Sequence, residues 1–520
     1  MCKTLVYHLI KEMINMDLQL RNTKNNKKEK VNLKTNKLHG EFIQKREERI
    51  TSTKDDDESR TSATTQCGEI KRENRSNIFE NKSINQLILY FSIPAIISLV
   101  LESVASMIDT AFAGHLGDMS SYALSAMGIL GPILSLFVAA QLIFGVSTGI
   151  ILAKRLGEGN EEKVNSTFKV GLYSSLIFST LTSVAIFIGQ DKLLDIIGAT
   201  GQVKVLAKQF LNIAVVFNVF SSVGYTLVNN IRSFGHPKIE IIIVTSSTII
   251  NIIFNILFTF VFEMGIIGIG LATLISEISY VLFAILFLVK KGLWMKKTNL
   301  CSKEIKSILL LLIKIGFVQF LMQALNSLNG FTVNKVLVNY GDVSYIGAWA
   351  VCNSLYMMML LPLIGLTEGV QSVIAYYQGS HNEEKKNIIK SKTLKYSLLY
   401  SLITITLVFI YSKGIVQIFT LDRSIIDTSI SIMKILLIGF PFMGIIYTMV
   451  AFMQVSGQEE RASKLEFIRQ VFLFIPLSII LPLLVSKSSI MDIEPSLSVF
   501  FAMPISNIIS LFFYSGSRSR

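Results

Sequence analysis

Charged residues are scarce in this chain. They make up only 16% of its 520 residues, whereas hydrophobic residues make up 51%. A water-soluble chain of this length needs more charge to cover its surface. Apolar stretches of about 20 residues, the length that crosses a bilayer core of roughly 30 Å, recur along most of the sequence. The composition therefore argues against a soluble protein and points to a membrane protein.

Motifs for metal, nucleotide and covalent chemistry are also missing. The four cysteines are scattered, which fits neither a disulfide framework nor a zinc site. All five histidines lie in the N-terminal tail or in loops, and neither HExxH nor GxxxxGK[ST] occurs. We therefore expect no enzyme activity and no cofactor. In a membrane protein, the net charge of +13 indicates basic cytoplasmic loops rather than nucleic-acid binding.

Residues 1–84 differ in kind from the rest of the chain. Segments such as "RNTKNNKKEK" and "QKREERITSTKDDDESRTS" are polar, mixed in charge and poor in large apolar residues. Such a segment buries too little surface to offset the entropy lost on ordering. It also lacks the apolar core and cleavage site of a signal peptide. We expect a disordered cytoplasmic tail.

Twelve apolar spans follow the tail. They lie near residues 88–112, 124–148, 170–189, 206–231, 239–262, 266–289, 307–337, 345–375, 396–412, 430–453, 466–486 and 494–514. The sequence therefore predicts an all-α polytopic membrane protein with twelve transmembrane helices. The even number places both chain ends on the same side of the membrane.

The loops between the spans alternate in charge. One set is rich in lysine and arginine, for example "AKRLGEGNEEK", "RSFGHPK" and "GSHNEEKKNIIKSK". The alternate set, which includes "GHLGDMSS" and "NYGDVS", contains few basic residues. Because basic loops favour the cytoplasmic face, we expect a plasma (inner) membrane protein with both termini in the cytoplasm.

The chain also repeats itself. "FGVSTGIILAKRLGEGNEEK" is similar to "IGLTEGVQSVIAYYQGSHNEEK", "SFGHPK" corresponds to "VSGQEE", and "HLGD" to "NYGD", each roughly 222 residues apart. The repeat predicts two six-helix lobes, residues 85–292 and 307–515, joined by a basic cytoplasmic loop at 293–306 and followed by a short cytoplasmic C-terminus at 516–520. Lobes with an even number of helices share one orientation, so their pseudo-two-fold axis runs along the membrane normal. Many secondary transporters are built in this way.

Several acids lie inside these apolar spans, where a charge is costly unless it faces a cavity or a partner. Counting from the outer loops at about 1.5 Å per residue places Asp109, Asn255 and Thr273 in one layer about 12 Å below the outer surface. One turn deeper lie Asn251 and Glu277, and Glu102 is on nearly the same helix face as Asp109. These oxygens suit a hard cation such as Na⁺, and the carboxylates equally suit a proton. The alternative is that each acid only pairs or lines a helix contact.

Five other polar residues, one proline and four glycines are candidates for functional or packing roles. Five polar side chains either face a substrate in a central cleft or serve helix contacts: Gln141, Gln323, Asn326, Asn329 and Glu368. Pro94 interrupts the helix that carries Asp109 and is a candidate hinge. Four glycines have small-xxx-small spacing, which favours close helix packing: Gly145, Gly149, Gly365 and Gly369.

Taken in order, these motifs resemble the multidrug and toxic compound extrusion (MATE) family. "MIDTAFAGHLG" resembles the family's first-helix motif and "AKRLGEGNEEK" the loop after its second helix. "RSFGHPK", "NIIFNILF" and "GIIGIGLAT" resemble the run from helix four through helix six, and "GLTEGVQSVIAYYQGSHNEEKK" the second-half signature. The resemblance covers about residues 85–515.

This resemblance implies two lobes around a V-shaped cleft and export of organic, often cationic compounds in exchange for Na⁺ or H⁺. It implies a cation site at Asp109, Asn251, Asn255 and Thr273. Asn255 departs from the family pattern, because relatives commonly carry a carboxylate there; Glu277 or Glu102 is the candidate to compensate. We expect a monomer among membrane lipids that binds small organic molecules and no nucleic acid. Two alternatives are a lipid-linked oligosaccharide flippase of the related superfamily and a transport-like sensor whose tail signals.

Overall fold

The structure, a computed structural model, describes residues 78–296, 300–340, 343–420, 422–487 and 494–516. Twelve helices within these ranges are long and apolar enough to cross a membrane, and the same ranges contain no strand. The predicted all-α fold with twelve transmembrane helices is therefore confirmed. The expectation for the tail falls largely on residues 1–77, which lie outside the described residues. So do 297–299 of the basic loop and 517–520 at the C-terminus.

The spanning helices follow one another with short connections. The first six are α1 (Ile84–Ala113), α2 (Ser120–Gly157), α3 (Glu161–Ile196), α4 (Gly201–Ser233), α5 (Pro237–Ile256) and α6 (Gly265–Lys290). The other six are α7 (Ser302–Tyr340), α8 (Val343–Gly379), α9 (Glu383–Gln417), α10 (Arg423–Val455), α11 (Glu459–Lys487) and α12 (Pro495–Phe512). The start of α1 and the α2–α3, α4–α5, α8–α9 and α10–α11 connections share one end of the molecule, which we call the basic end.

The repeated "NEEK" motif is a helix start in both halves. The Asn160 side chain accepts a hydrogen bond from the Lys163 backbone N–H at 2.9 Å, and Asn382 does the same for Lys385 at 3.0 Å. An asparagine in this position satisfies a backbone donor that the first turn leaves unpaired. The two glutamates that follow lie near the positive end of the helix dipole. The motif thus explains where α3 and α9 begin.

A buried hydroxyl pair repeats between the halves as well. In the first half Thr226 of α4 donates to the Ser175 hydroxyl of α3 at 3.0 Å. In the second half the hydroxyls of Thr448 on α10 and Ser397 on α9 lie 3.1 Å apart. All four residues are buried. The duplication seen in the sequence therefore extends to the packing of corresponding helices.

Each half has its own apolar core, and a further core joins the two. Clusters of buried side chains lie within α1–α6 and within α7–α12. The joining cluster combines Phe91 and Ile143 of the first half with Val370 and Phe452 of the second. We call α1–α6 the N-lobe and α7–α12 the C-lobe.

Glycines bring the lobes into backbone contact. A Cβ added at Gly365 would lie 2.6 Å from the Ile96 Cα, and one at Gly369 would lie 2.6 Å from the Phe91 carbonyl oxygen. Within the N-lobe, a Cβ at Gly145 would lie 2.3 Å from the Tyr225 ring. These distances leave no room for a side chain, so the packing interpretation of this small-residue spacing agrees with the structure.

The outer surface of the bundle is strongly apolar. Large side chains such as Leu181, Ile188 and Leu402 are more than half exposed. A continuous apolar surface of this kind would drive aggregation in water. It matches the hydrocarbon of a bilayer instead, which supports a multi-pass membrane protein.

Candidate functional site

The Asp109 carboxylate is the centre of a hydrogen-bonded cluster. It lies four residues before the end of α1, and the residue is 8% exposed. Its Oδ1 accepts hydrogen bonds from the Asn255 Nδ2 at 2.7 Å and the Asn251 Nδ2 at 3.3 Å. Its Oδ2 accepts one from the Thr273 Oγ1 at 3.0 Å. Three helices thus converge on one carboxylate.

Helical spacing places these partners. Asn251 and Asn255 are one turn apart on α5, so both amides project from the same face. The Asn255 Nδ2 also donates to the Asn251 Oδ1 at 3.1 Å. Thr273 lies on α6 and donates in addition to the Ile269 carbonyl oxygen. The structure differs from the expectation of two layers, because Asn251 contacts Asp109 directly instead of lying a turn below it.

The side chains that donate to the Asp109 carboxylate are all neutral. In the described part of the chain Asp109 forms no ion pair with a basic side chain, and its hydrogen-bond donors are two amides and a hydroxyl. Hydrogen bonds from neutral donors stabilise an ionised carboxylate, but they add no compensating positive charge. A cation that reached this place would therefore meet an uncompensated negative charge.

One acceptor in the cluster lacks a partner. The Asn255 Oδ1 is buried and has no hydrogen-bond partner among the described residues. Buried polar atoms are normally satisfied, so an unpaired one at a site calls for an explanation. Hard cations take carboxylate, hydroxyl and amide oxygens, so the Asp109 carboxylate, the Thr273 hydroxyl and this amide oxygen are candidate ligands.

A cavity of about 260 Å³ adjoins the cluster inside the N-lobe. Residues of α1, α2, α4, α5 and α6 line it, and among them are the acids Glu102, Asp109 and Glu277. The wall also carries five aromatic rings: Phe137, Phe210, Phe217, Tyr225 and Tyr280. An acidic wall with aromatic faces is suited to an organic cation.

Two further acids and one amide that were named from the sequence lie in this wall: Glu102, Glu277 and Gln141. Glu102 is exposed and Glu277 half-buried, and both border the cavity. Neither has a basic partner within 4.0 Å among the described residues. The Gln141 Oε1 accepts a hydrogen bond from the Ser221 hydroxyl at 3.2 Å. The structure thus places five of the six cation-coupling candidates and Gln141 around one cavity, and the sixth, Asn255, lies behind Asp109 and donates to it.

The other substrate candidates lie elsewhere. Gln323, Asn326 and Asn329 lie on α7 in the C-lobe, where the Asn329 Nδ2 donates to the Gln470 Oε1 at 2.9 Å. Glu368 lies on α8 and is paired with Arg232 of α4 at 3.6 Å. Pro94 is buried within α1, which continues through it.

Sequence reasoning missed two buried ion clusters. In one, Arg232 of α4 binds Glu240 of α5; in the other, Arg469 binds Glu466, both on α11. The loop-charge pattern assigns Arg232 to a basic loop, because Arg232 opens the "RSFGHPK" segment. For the cavity wall a signal existed: Asn218, Ser221 and Tyr225 recur on α4 at spacings of three and four residues, which is one polar helix face.

Comparison with known proteins places the fold in a family. A family model described as MatE matches residues 94–257 and 319–480, more than half of the chain. The multidrug export protein MepA of Staphylococcus saprophyticus is 25% identical over 393 residues, 76% of this chain and 86% of that protein. MepA of Staphylococcus haemolyticus is 27% identical over 403 residues, 78% of this chain and 88% of that one.

Solved structures show the same architecture. A MOP superfamily transporter from Pyrococcus furiosus superposes with a TM-score of 0.77 at 19% identity, over 86% of this chain and 98% of that one. A mutant of the Vibrio cholerae MATE transporter VcmN superposes with a TM-score of 0.76 at 18% identity, over 84% and 98%. The two matched segments fall one in each lobe, as a duplicated fold requires. The chain therefore belongs to the MatE family, a family of membrane transporters and not of enzymes.

Proposed function

We propose that this protein is a secondary active multidrug efflux transporter, which exports organic cationic or amphiphilic compounds in exchange for H⁺ or Na⁺. The relatives named as multidrug export proteins support the export of drugs. The observation that carries the proposal is the Asp109 cluster, which lies in the wall of the same cavity as Glu102 and Glu277. A coupling ion and an organic cation therefore compete for one acidic region.

The proposed orientation follows the loop charges. The basic end faces the cytoplasm together with both termini, and Asp109, near the opposite end of α1, lies closer to the outer face. A cation from outside has only a short way to reach it. Pro94, on the same helix toward the basic end, is the proposed hinge.

The proposed cycle couples the two ligands through differential binding. With Asp109 ionised, the cavity is most negative and holds an organic cation best. A proton or Na⁺ that binds at Asp109 from outside neutralises this charge and releases the organic cation outward. The lobes then reopen to the cytoplasm and discharge the ion. Such exchange works only if each ligand favours a different state of the protein.

The donor set accommodates either ion by a different route. A proton needs only the Asp109 carboxylate, which then gives up part of its three hydrogen bonds. Na⁺ needs several oxygens, and Asp109, the Thr273 hydroxyl and the unpaired Asn255 Oδ1 would supply them. The acidic wall does not favour the flippase alternative, for which we expect a basic cavity.

Dye export from proteoliposomes tests the proposal. Purified protein is reconstituted, and efflux of ethidium is followed under an imposed Na⁺ gradient, an imposed pH gradient or neither. We expect one gradient to drive export and Asp109→Asn to abolish this drive while the protein stays folded. The control is Asp191→Asn, because Asp191 is exposed and pairs with Lys208 at 2.7 Å. Full gradient-driven export by Asp109→Asn would refute the assignment.

A further inference from the structure

Arg232 is held firmly within the N-lobe. It lies in the last turn of α4, is 3% exposed, and donates from Nε and Nη2 to the two carboxylate oxygens of Glu240 at 2.8 and 2.5 Å. Two parallel bonds of this kind fix the plane of the guanidinium group. Arg232 therefore keeps a counter-charge whatever the C-lobe does.

The remaining Nη1 faces the other lobe. It lies 3.6 Å from the Oε2 of Glu368, a buried residue of α8, and this Oε2 has no hydrogen-bond partner among the described residues. The contact is a charge interaction that crosses between the lobes. It is also unequal, because separation of the lobes costs Glu368 its basic partner but leaves Arg232 paired with Glu240.

The surrounding contacts show that the lobes are closed at this level. The Ser233 Oγ lies 3.3 Å from the Ser372 Oγ across the lobe boundary, and it donates to the Gly149 carbonyl oxygen at 2.9 Å. Nearer the basic end the Tyr377 hydroxyl donates to the Phe79 carbonyl oxygen. Opening of this end requires the Ser233–Ser372 and Tyr377–Phe79 contacts to break, whereas the Ser233–Gly149 bond lies within the N-lobe and keeps Ser233 in place.

We propose that Arg232 and Glu368 form a latch between the lobes. While Glu368 keeps its basic partner, the latch holds the basic end closed, and when the lobes separate Glu368 is left as a buried acid without a counter-charge. The latch needs no assumption about the transported compound.

Cross-linking across the lobe boundary tests the latch. Ser233→Cys and Ser372→Cys are introduced together after replacement of the four native cysteines, and the rate of disulfide formation reports the closed state. We expect Glu368→Gln to lower this rate about tenfold, within the range usual for coupled contacts. The matched control is Glu466→Gln, which removes a buried carboxylate 2.5 Å from Arg469 within the C-lobe. An unchanged rate in Glu368→Gln, or an equal fall in both variants, would overturn the latch.

Thermal unfolding of each variant verifies that it is folded.

Discussion

The Asn255 amide donates to the Asp109 carboxylate at 2.7 Å while its own oxygen remains unpaired. An amide thus stands where the MATE resemblance implies a second carboxylate. An amide in place of a carboxylate leaves the cluster with one negative charge fewer. A substitution that restores this charge should therefore change the preference for the coupling ion.

We predict that Asn255→Asp makes the protein depend on Na⁺. Two carboxylates at this distance repel each other and need a cation between them. The thermal unfolding midpoint should rise with NaCl more steeply than in the parent, because a ligand at 100 times its Kd adds about 2.7 kcal/mol to stability. Choline chloride corrects for ionic strength. The control is Asn218→Asp, on the cavity wall but bonded to Ser183. The same Na⁺ response in all three proteins would contradict the prediction.

Glu277 provides a test of the cavity wall. We predict that Glu277→Gln raises the KM for a cationic dye roughly tenfold, since loss of one charge that faces the dye costs about 1.4 kcal/mol. A neutral amphiphile should be affected much less. The comparison is with Glu263→Gln, a change at an exposed acid in the α5–α6 connection. Equal effects on charged and neutral compounds would mean that Glu277 is structural.

Two glycines on α7 allow the effect of lobe contact on stability to be distinguished from the effect of helix propensity. A Cβ at Gly316 would lie 1.9 Å from the Ile143 carbonyl oxygen of the N-lobe, whereas nothing lies within 4 Å of one at Gly330. We predict that Gly316→Ala lowers the free energy of unfolding by about 1–3 kcal/mol. Gly330→Ala should raise it by roughly 0.5–1 kcal/mol. Denaturant unfolding in detergent measures both, and a stabilising Gly316→Ala would show that the lobes approach less closely.

Because the buried hydroxyl pair occurs in both lobes, we predict that its loss lowers stability by a similar amount in each lobe. Thr226→Val and Thr448→Val each remove a buried hydroxyl that bonds a serine and a carbonyl oxygen one turn back. Each should lower stability by about 1 kcal/mol and leave the ion dependence of export unchanged. Thermal unfolding compares the two variants. A large cost in one lobe alone would indicate that the corresponding contacts are not equivalent.

Much of the fold was accessible from the chain alone. Hydropathy located twelve spans, and the repeat of "NEEK" marked the start of α3 and α9, where Asn160 and Asn382 cap the helices. The depth count brought Asp109, Asn255 and Thr273 to one level, and in the structure Asn255 and Thr273 each donate a hydrogen bond to the Asp109 carboxylate. These features depend on local spacing along a helix of about 1.5 Å per residue, which a sequence encodes directly.

Other parts of the site required the neighbours of each helix. Depth alone separated Asn251 from Asp109, but the rotation of α5 brings its amide within 3.3 Å of the carboxylate. Glu368 was a candidate for the substrate cleft, and only the packing of α8 against α4 shows that it faces Arg232. Hydropathy carries little information on helix rotation, because most faces of a spanning helix meet either lipid or the apolar side chains of other helices.

The sequence by itself determined that this chain crosses a membrane twelve times, that its two halves repeat, and that acids lie within its apolar spans. The tertiary structure decided which of these acids meet donors, which border the cavity and which pair across the lobes. The reason is physical: length and apolar character suffice to specify a spanning helix. The partners of a buried charge are set by helix rotation and contacts between segments far apart in the chain, as between Arg232 and Glu368.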